Sequence, residues 1–135
     1  MKDEQKKLKA WGLRITPQRL AILDVLRGNR THPSVEKIYE EIVRKYPNLS
    51  MATVYNTLSK LVKGRGIQEL DIDPKKRRFD PCTSPHHHFY CQTCGEVYDI
   101  DYDTAFVPNM KRIGGHQIET IQVNFRGKCK ACSKK

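Results

Sequence analysis

The chain has 135 residues, 25 Lys and Arg against 15 Asp and Glu, and a formal net charge of +10. That length carries one domain or two small ones, and 38% hydrophobic residues can build a core but not a membrane protein. No apolar run approaches the ~20 residues that cross a bilayer, and the polar opening MKDEQKKLKAWG does not read as a signal peptide. The expectation is a soluble, basic, cytoplasmic protein with no membrane partner.

The charge is uneven. Residues 1–81 hold 18 Lys and Arg and 10 Asp and Glu, net +8, whereas residues 82–135 hold 7 and 5, net +2. A basic front half points to a polyanion, nucleic acid before membrane, although a solvated basic surface gives the same count.

In chain order, Lys6 to Trp11 reads as a short helix ended by Gly12. Thr16-Pro17 supplies an N-cap and a first-turn proline for a second helix carrying Leu20, Leu23, Val25 and Leu26, with Gly28 as its stop. A third opens around Pro33-Ser34, shares Val35, Ile38, Tyr39, Ile42 and Val43 on one face, and ends at Pro47. After the short turn Pro47-Asn48-Leu49, a fourth starts at Ser50 with Val54, Leu58, Leu61 and Val62 as its apolar stripe. Its other face holds Ala52, Thr53, Tyr55, Asn56, Ser59, Lys60 and Lys63. That face is small, polar and basic, as a helix entering the major groove requires.

Ile67 to Ile72 alternates like a strand, Asp73-Pro74-Lys75-Lys76 is a turn, and Arg77 to Asp80 returns as its partner. A basic-tipped hairpin behind a recognition helix makes residues 1–81 a winged helix. Lys75 to Arg78 are expected along phosphates. Tyr55 is expected at bases or thymine methyls, and Arg19, Lys60 and Lys76 at phosphate or the minor groove.

Four of the five cysteines form two Cys-x-x-Cys pairs, Cys91 with Cys94 and Cys129 with Cys132, leaving Cys82 over. Without an export signal a disulfide framework is not expected. Four thiolates close the tetrahedral shell of structural Zn(II), and the 34 intervening residues require a small sheet to bring the pairs together. Glu96 to Ile100 and Ile118 to Phe125 alternate as strands, with a short helix around Asp103 to Ile113.

On a strand through Pro85 to Cys91, His86 and His88 share one face and His87 the other. Asp80, Asp99 and His32 complete a candidate mixed nitrogen and oxygen ligand set suited to Fe(II) or Mn(II). Asp101 and His116 are possible further ligands but read more simply as surface.

The order Gly12 to Arg19, His32-Pro33, Ser50 to Leu58, Arg78-Phe79-Asp80, His86-x-His88, then the two cysteine pairs, resembles the ferric uptake regulator (Fur) family over nearly the whole chain. The resemblance implies an α+β protein: an N-terminal winged helix, residues 1–81, and a small α/β dimerisation domain with an antiparallel sheet and the structural zinc, residues 82–135. It further implies a metal-gated repressor rather than an enzyme, a homodimer on pseudo-palindromic double-stranded operator DNA, and Arg14 near that DNA. Thr53 and Asn56 join Tyr55 on the reading face.

Within the family the set His32, Asp80, His86, His88 and Asp99 resembles the peroxide-responsive (PerR) branch, because iron-responsive members usually carry Glu where Asp80 and Asp99 stand. The second metal cluster of many members is not matched, since its positions hold Pro85 and His87. The branch implies Fe(II)-dependent oxidation of ligand histidine, with His32 and His86 as targets. An iron-responsive regulator remains an alternative, as does a zinc-responsive one, which Cys82 keeps open. A small metalloenzyme is the alternative from another class, and it leaves the helix-turn-helix without a role.

Overall fold

A computed structural model describes residues 2–103 and 109–134. They divide into two compact units, Met1–Thr83 and Ser84–Lys135. No described helix is long and apolar enough to cross a membrane.

The first unit contains α1 (Lys2–Ala10), α2 (Pro17–Leu26), α3 (Val35–Val43), α4 (Met51–Lys63), β1 (Gln68–Leu70) and β2 (Arg78–Asp80). Helix α1 begins four residues before the expected Lys6. Asp3 and Glu4 in its first turn and Lys7 and Lys9 in its last complement the helix dipole. Each of the next three helices opens on a hydroxyl cap. Thr16, Ser34 and Ser50 accept the amides of Arg19, Lys37 and Thr53 at 3.2, 3.2 and 3.1 Å. Ile22, Leu26, Ile38, Val54, Leu58, Leu61 and Phe79 form the shared core. Helix α3 stops at Val43, before Pro47, and the intervening residues form a turn that brings α4 back across it.

The hairpin is shorter than its alternation promised, pairing Gln68 with Asp80 and Leu70 with Arg78. Its inner strand is tied to the start of α3: the Phe79 amide donates to the Pro33 carbonyl at 2.9 Å, and Ser34 bridges Arg78.

The second unit contains β3 (His87–Cys91), β4 (Val97–Ile100), β5 (Arg112–Ile113), β6 (His116–Gln117), β7 (Asn124–Gly127) and α5 (Lys130–Ser133). Its main sheet has the order β4-β3-β7. Strands β3 and β4 are antiparallel, with His88 opposite Asp99, but β3 and β7 are parallel, so the sheet is mixed rather than antiparallel.

Two further expectations fail here. The strand expected from Ile118 begins only at Asn124, and the two residues just before it turn groups to histidine side chains. The Val123 amide donates to His87 Nδ1 at 3.0 Å, and the Gln122 side chain meets His88. Of the helix expected over 103–113, residues 104–108 lie outside the described residues, and the following stretch turns into the β5–β6 hairpin. Gly114 and Gly115, at φ +55° and +83°, make its two-residue turn, a conformation that glycine favours.

Buried apolar side chains are few in this unit, namely Tyr90, Val97 and the thiols Cys91 and Cys129 among the described residues. A core that thin needs reinforcement by metal or by a second subunit.

Candidate metal centres and nucleic-acid face

The four paired cysteines converge at one end of the second unit. Their sulfurs all lie within 4.8 Å of one another, and Cys94 Sγ is 3.8 Å from Cys129 Sγ. Tetrahedral Zn–S bonds of about 2.3 Å place sulfurs ~3.8 Å apart, so the donor set fits structural zinc. Cys91 ends β3, the turn at Gly95 (φ +78°) returns the chain to β4, and Cys129 caps α5, which brings in Cys132.

Electrostatics prepare this cluster for a cation. Burial opposes ionisation of Cys91, but the amides of Cys94 and Cys129, 3.4 and 3.3 Å away, bring its thiol down to about 6. The Tyr98 hydroxyl, then the Cys132 amide, lower Cys129 as well. Cys132 is pushed up to about 12, foremost by sharing its proton with Cys129. Cys94 is raised by burial and by Cys91 and Cys129, against a lowering Glu96 amide. Two thiols are thus lowered and two raised, and a divalent cation, which binds sulfur in its deprotonated form, would satisfy all four.

Of the histidine and aspartate donors, His32 and Asp80 belong to the first unit and His86, His88 and Asp99 to the second. In the first unit His32 is fully buried and its Nε2 faces Asp80 Oδ2 at 3.5 Å. The other oxygen of Asp80 accepts the Cys82 amide at 2.9 Å. His32 adopts φ +54°, a left-handed conformation disfavoured for a residue with a side chain.

In the second unit, Nε2 of His86 and of His88 lie 3.2 and 3.6 Å from the same Asp99 Oδ1. The two rings meet edge to face at 4.5 Å. His86 Nδ1 lies 2.7 Å from the Ser84 carbonyl, which can only accept, so Nδ1 carries the proton and Nε2 presents its lone pair towards Asp99. Such an arrangement needs a shared proton or a cation. His88 reaches the same state when Gln122, 2.9 Å from its Nδ1, presents its amide oxygen.

His87 is the opposite tautomer. Its Nδ1 accepts the Val123 amide, its protonated Nε2 has no hydrogen-bond partner among the described residues, and its ring stacks on Tyr102 at 5.0 Å. The alternation expected for the three histidines therefore separates the ligand-like pair from a packed one. Gln122 and the Ser84 carbonyl set this chemistry without any signal in the sequence. Asp101 and His116 are exposed and join no donor group among the described residues. Cys82 is exposed, with its carbonyl held by Gln68 at 2.7 Å.

Of the residues expected at nucleic acid, Arg14, Arg19, Thr53 and Lys60 line one open cleft of about 770 Å³, together with Lys45 and the capping Ser50. Tyr55, Asn56 and Lys76 are exposed outside it. Arg78, expected along phosphates, is turned inward. Its guanidinium pairs with the buried Asp73 at 2.9 and 3.0 Å and donates to the His32 carbonyl at 3.2 Å.

A model of the Ferric uptake regulator family matches residues 10–126. The chain is 35% identical to the peroxide operon regulator of Bacillus subtilis over all of this chain and 94% of that protein. It is 37% identical to the peroxide-responsive repressor PerR of Staphylococcus aureus, covering 95% and 88% of the two. Among solved structures, the ferric uptake regulator Fur of Helicobacter pylori, described with three functional metal-binding sites, superposes with a TM-score of 0.74. That match has 25% identity and covers 97% of this chain and 89% of that one. The match along the chain, the winged-helix order of the first unit and the shared fold have one meaning: this protein belongs to the ferric uptake regulator family, whose members are transcriptional regulators rather than enzymes.

Proposed function

We propose that the chain is a metal-dependent, peroxide-responsive transcriptional repressor acting in the cytoplasm as a homodimer on pseudo-palindromic operator DNA. One observation supports the branch within the family: Asp80 and Asp99 stand where iron-responsive members usually carry Glu, in a histidine and aspartate set that supplies only nitrogen and oxygen donors. Such a set suits Fe(II) or Mn(II) over thiophilic ions.

In this reading His32 and Asp80 of the first unit and His86, His88 and Asp99 of the second ligate one ion. Joint ligation selects the arrangement of the two units that binds operator, and it does so only through better ligation in that arrangement than in others. The second unit, residues 82–135 in the expected division, dimerises and keeps its fold through zinc on Cys91, Cys94, Cys129 and Cys132. Its exposed Tyr98, Ile113 and Phe125 support a further covering surface there. The first unit, residues 1–81, presents Tyr55, Thr53 and Asn56 to bases and Arg14, Arg19, Lys60 and Lys76 to the backbone or minor groove.

Fe(II), held by these residues, would activate peroxide; one peroxide oxygen would be inserted at a carbon of an adjacent imidazole, which gives up the two electrons, and the other oxygen would leave as water. His32 and His86 are the expected targets. Loss of either imidazole weakens ligation across the units and releases DNA.

The test is metal analysis of protein purified without oxygen, followed by peroxide exposure and peptide mass spectrometry. Gain of one oxygen atom on His32 or His86 with loss of operator binding is expected, while the Mn(II) form survives the same dose. Oxidation confined to Cys82 or a zinc thiol overturns the mechanism. High-affinity regulation by zinc without a peroxide response favours the zinc-responsive alternative.

A further inference from the structure

We propose that Arg78, braced by Asp73, is a positioning residue for the regulatory metal, holding the His32 main chain in the conformation that aims its imidazole at Asp80. The inference rests on the metal reading of His32 and Asp80 above.

Three consecutive residues of β2 fasten the segment that carries His32. Arg78 Nη1 donates to the His32 carbonyl at 3.2 Å, the Phe79 amide donates to the Pro33 carbonyl at 2.9 Å, and Asp80 Oδ2 faces His32 Nε2 at 3.5 Å. The last two are a backbone tie and a ligand. Arg78 is the side chain that controls the peptide of His32 itself.

That peptide needs control. Only His32 and Arg65 among the described non-glycine residues adopt positive φ, and such a residue persists only when its surroundings hold it. His32 is also fully buried, so its ring cannot recover a useful direction by swinging through solvent.

Arg78 is itself immobilised. Nε and Nη2 both reach Asp73 Oδ2, at 3.0 and 2.9 Å, while Asp73 Oδ1 accepts the Lys75 amide at 2.9 Å. The Asp73 side chain is 4% exposed and that of Arg78 17%, unlike the exposed Arg77 beside it. A pair serving only stability needs the two contacts to Asp73. The third donor, spent on the His32 carbonyl, uses the fixed fork of a guanidinium, which a lysine ammonium cannot reproduce across both acceptors.

The test measures Mn(II) affinity of the full-length, zinc-loaded protein by competition with a fluorescent chelator, with urea midpoints alongside. His32→Ala reports whether the metal site exists. Arg78→Lys and Asp73→Asn should each weaken Mn(II) about 10–100-fold, the range for residues that orient metal ligands. Arg78→Lys should keep a near-native urea midpoint, because it retains a cation beside Asp73. Ile22→Val, a core change remote from these residues, should lower the midpoint and leave Mn(II) affinity intact. Native Mn(II) affinity in Arg78→Lys, or equal weakening in Ile22→Val, overturns the positioning role. Unchanged affinity in His32→Ala overturns the metal reading and this inference with it, whereas a His32 effect without an Arg78 effect overturns this inference alone.

Discussion

Arg77, at the end of the wing turn, donates from Nη1 to the hydroxyl of Tyr55 on α4 at 2.8 Å, and the same nitrogen lies 3.3 Å from Glu69. The wing thereby grips the aromatic side chain expected to read bases. Arg77 is largely exposed and Tyr55 and Glu69 partly so, and the contact adds little to stability. Its effect belongs to recognition. Tyr55→Ala should weaken a selected operator by roughly 1–3 kcal/mol more than random duplex, the range for a good base contact. Arg77→Met should reproduce part of that loss in wild-type protein and none in Tyr55→Phe, read as a double-mutant cycle in DNA titrations. Lys76→Ala should instead weaken both DNAs alike and flatten the salt dependence.

Cys94→Ser should remove zinc and dissociate or unfold the second unit, because ligation there is part of its folding free energy. Zinc stoichiometry and sedimentation measure this together. Retained zinc with retained dimer contradicts the assignment.

Asp99→Glu changes the length of the arm shared by His86 and His88. The variant should still bind Mn(II) and repress, yet respond poorly to peroxide. Reporter expression under a peroxide dose series checks it against wild type.

Gly66 lies against Trp11: an added Cβ would meet the indole at 2.3 Å. Gly66→Ala should therefore cost about 1–3 kcal/mol through overpacking. Gly12→Ala meets no atom within 4 Å but sits at φ +71°, so its cost of about 1–2 kcal/mol is conformational. Trp11 is the chain's one tryptophan, and its fluorescence during urea unfolding reports on the first unit.

Burial opposes ionisation of Asp73, but the Lys75 amide and the Arg78 guanidinium outweigh it and hold the carboxyl below its ordinary 3.8. A depressed folded pKa means stability present above the unfolded value and lost as the pH falls through the folded one. Asp73→Asn should be less stable at neutral pH and show a shallower loss on acidification below about pH 4. Trp11-detected urea midpoints across that range measure the difference.

The helices were legible because their signals are local: Thr16, Ser34 and Ser50 cap within three residues, and the stripe of α4 repeats at helical spacing. The cysteine pairs were equally plain. The inward turn of Arg78 was not, because its partners Asp73 and His32 meet it through tertiary structure. The same holds for residues 118–123, whose alternation imitates a strand while Gln122 and Val123 serve His88 and His87. Gly114-Gly115 is a local hairpin signal in the sequence, at odds with a helix that runs to Ile113.

Strand β3 spans five residues, with His88 near its start and Cys91 at its end, and His86 immediately precedes it. Both donor clusters of the second unit hang on this one ribbon. The ladder sets His88 opposite Asp99, and on the proposed reading zinc at Cys91 steadies the far end of that same strand. On the proposed reading, loading therefore has a sequence in time: zinc first, the sensing ion second. Zinc starvation would leave the operator unoccupied with or without peroxide while iron is still plentiful, a hierarchy between two nutrients set by the length of a single strand.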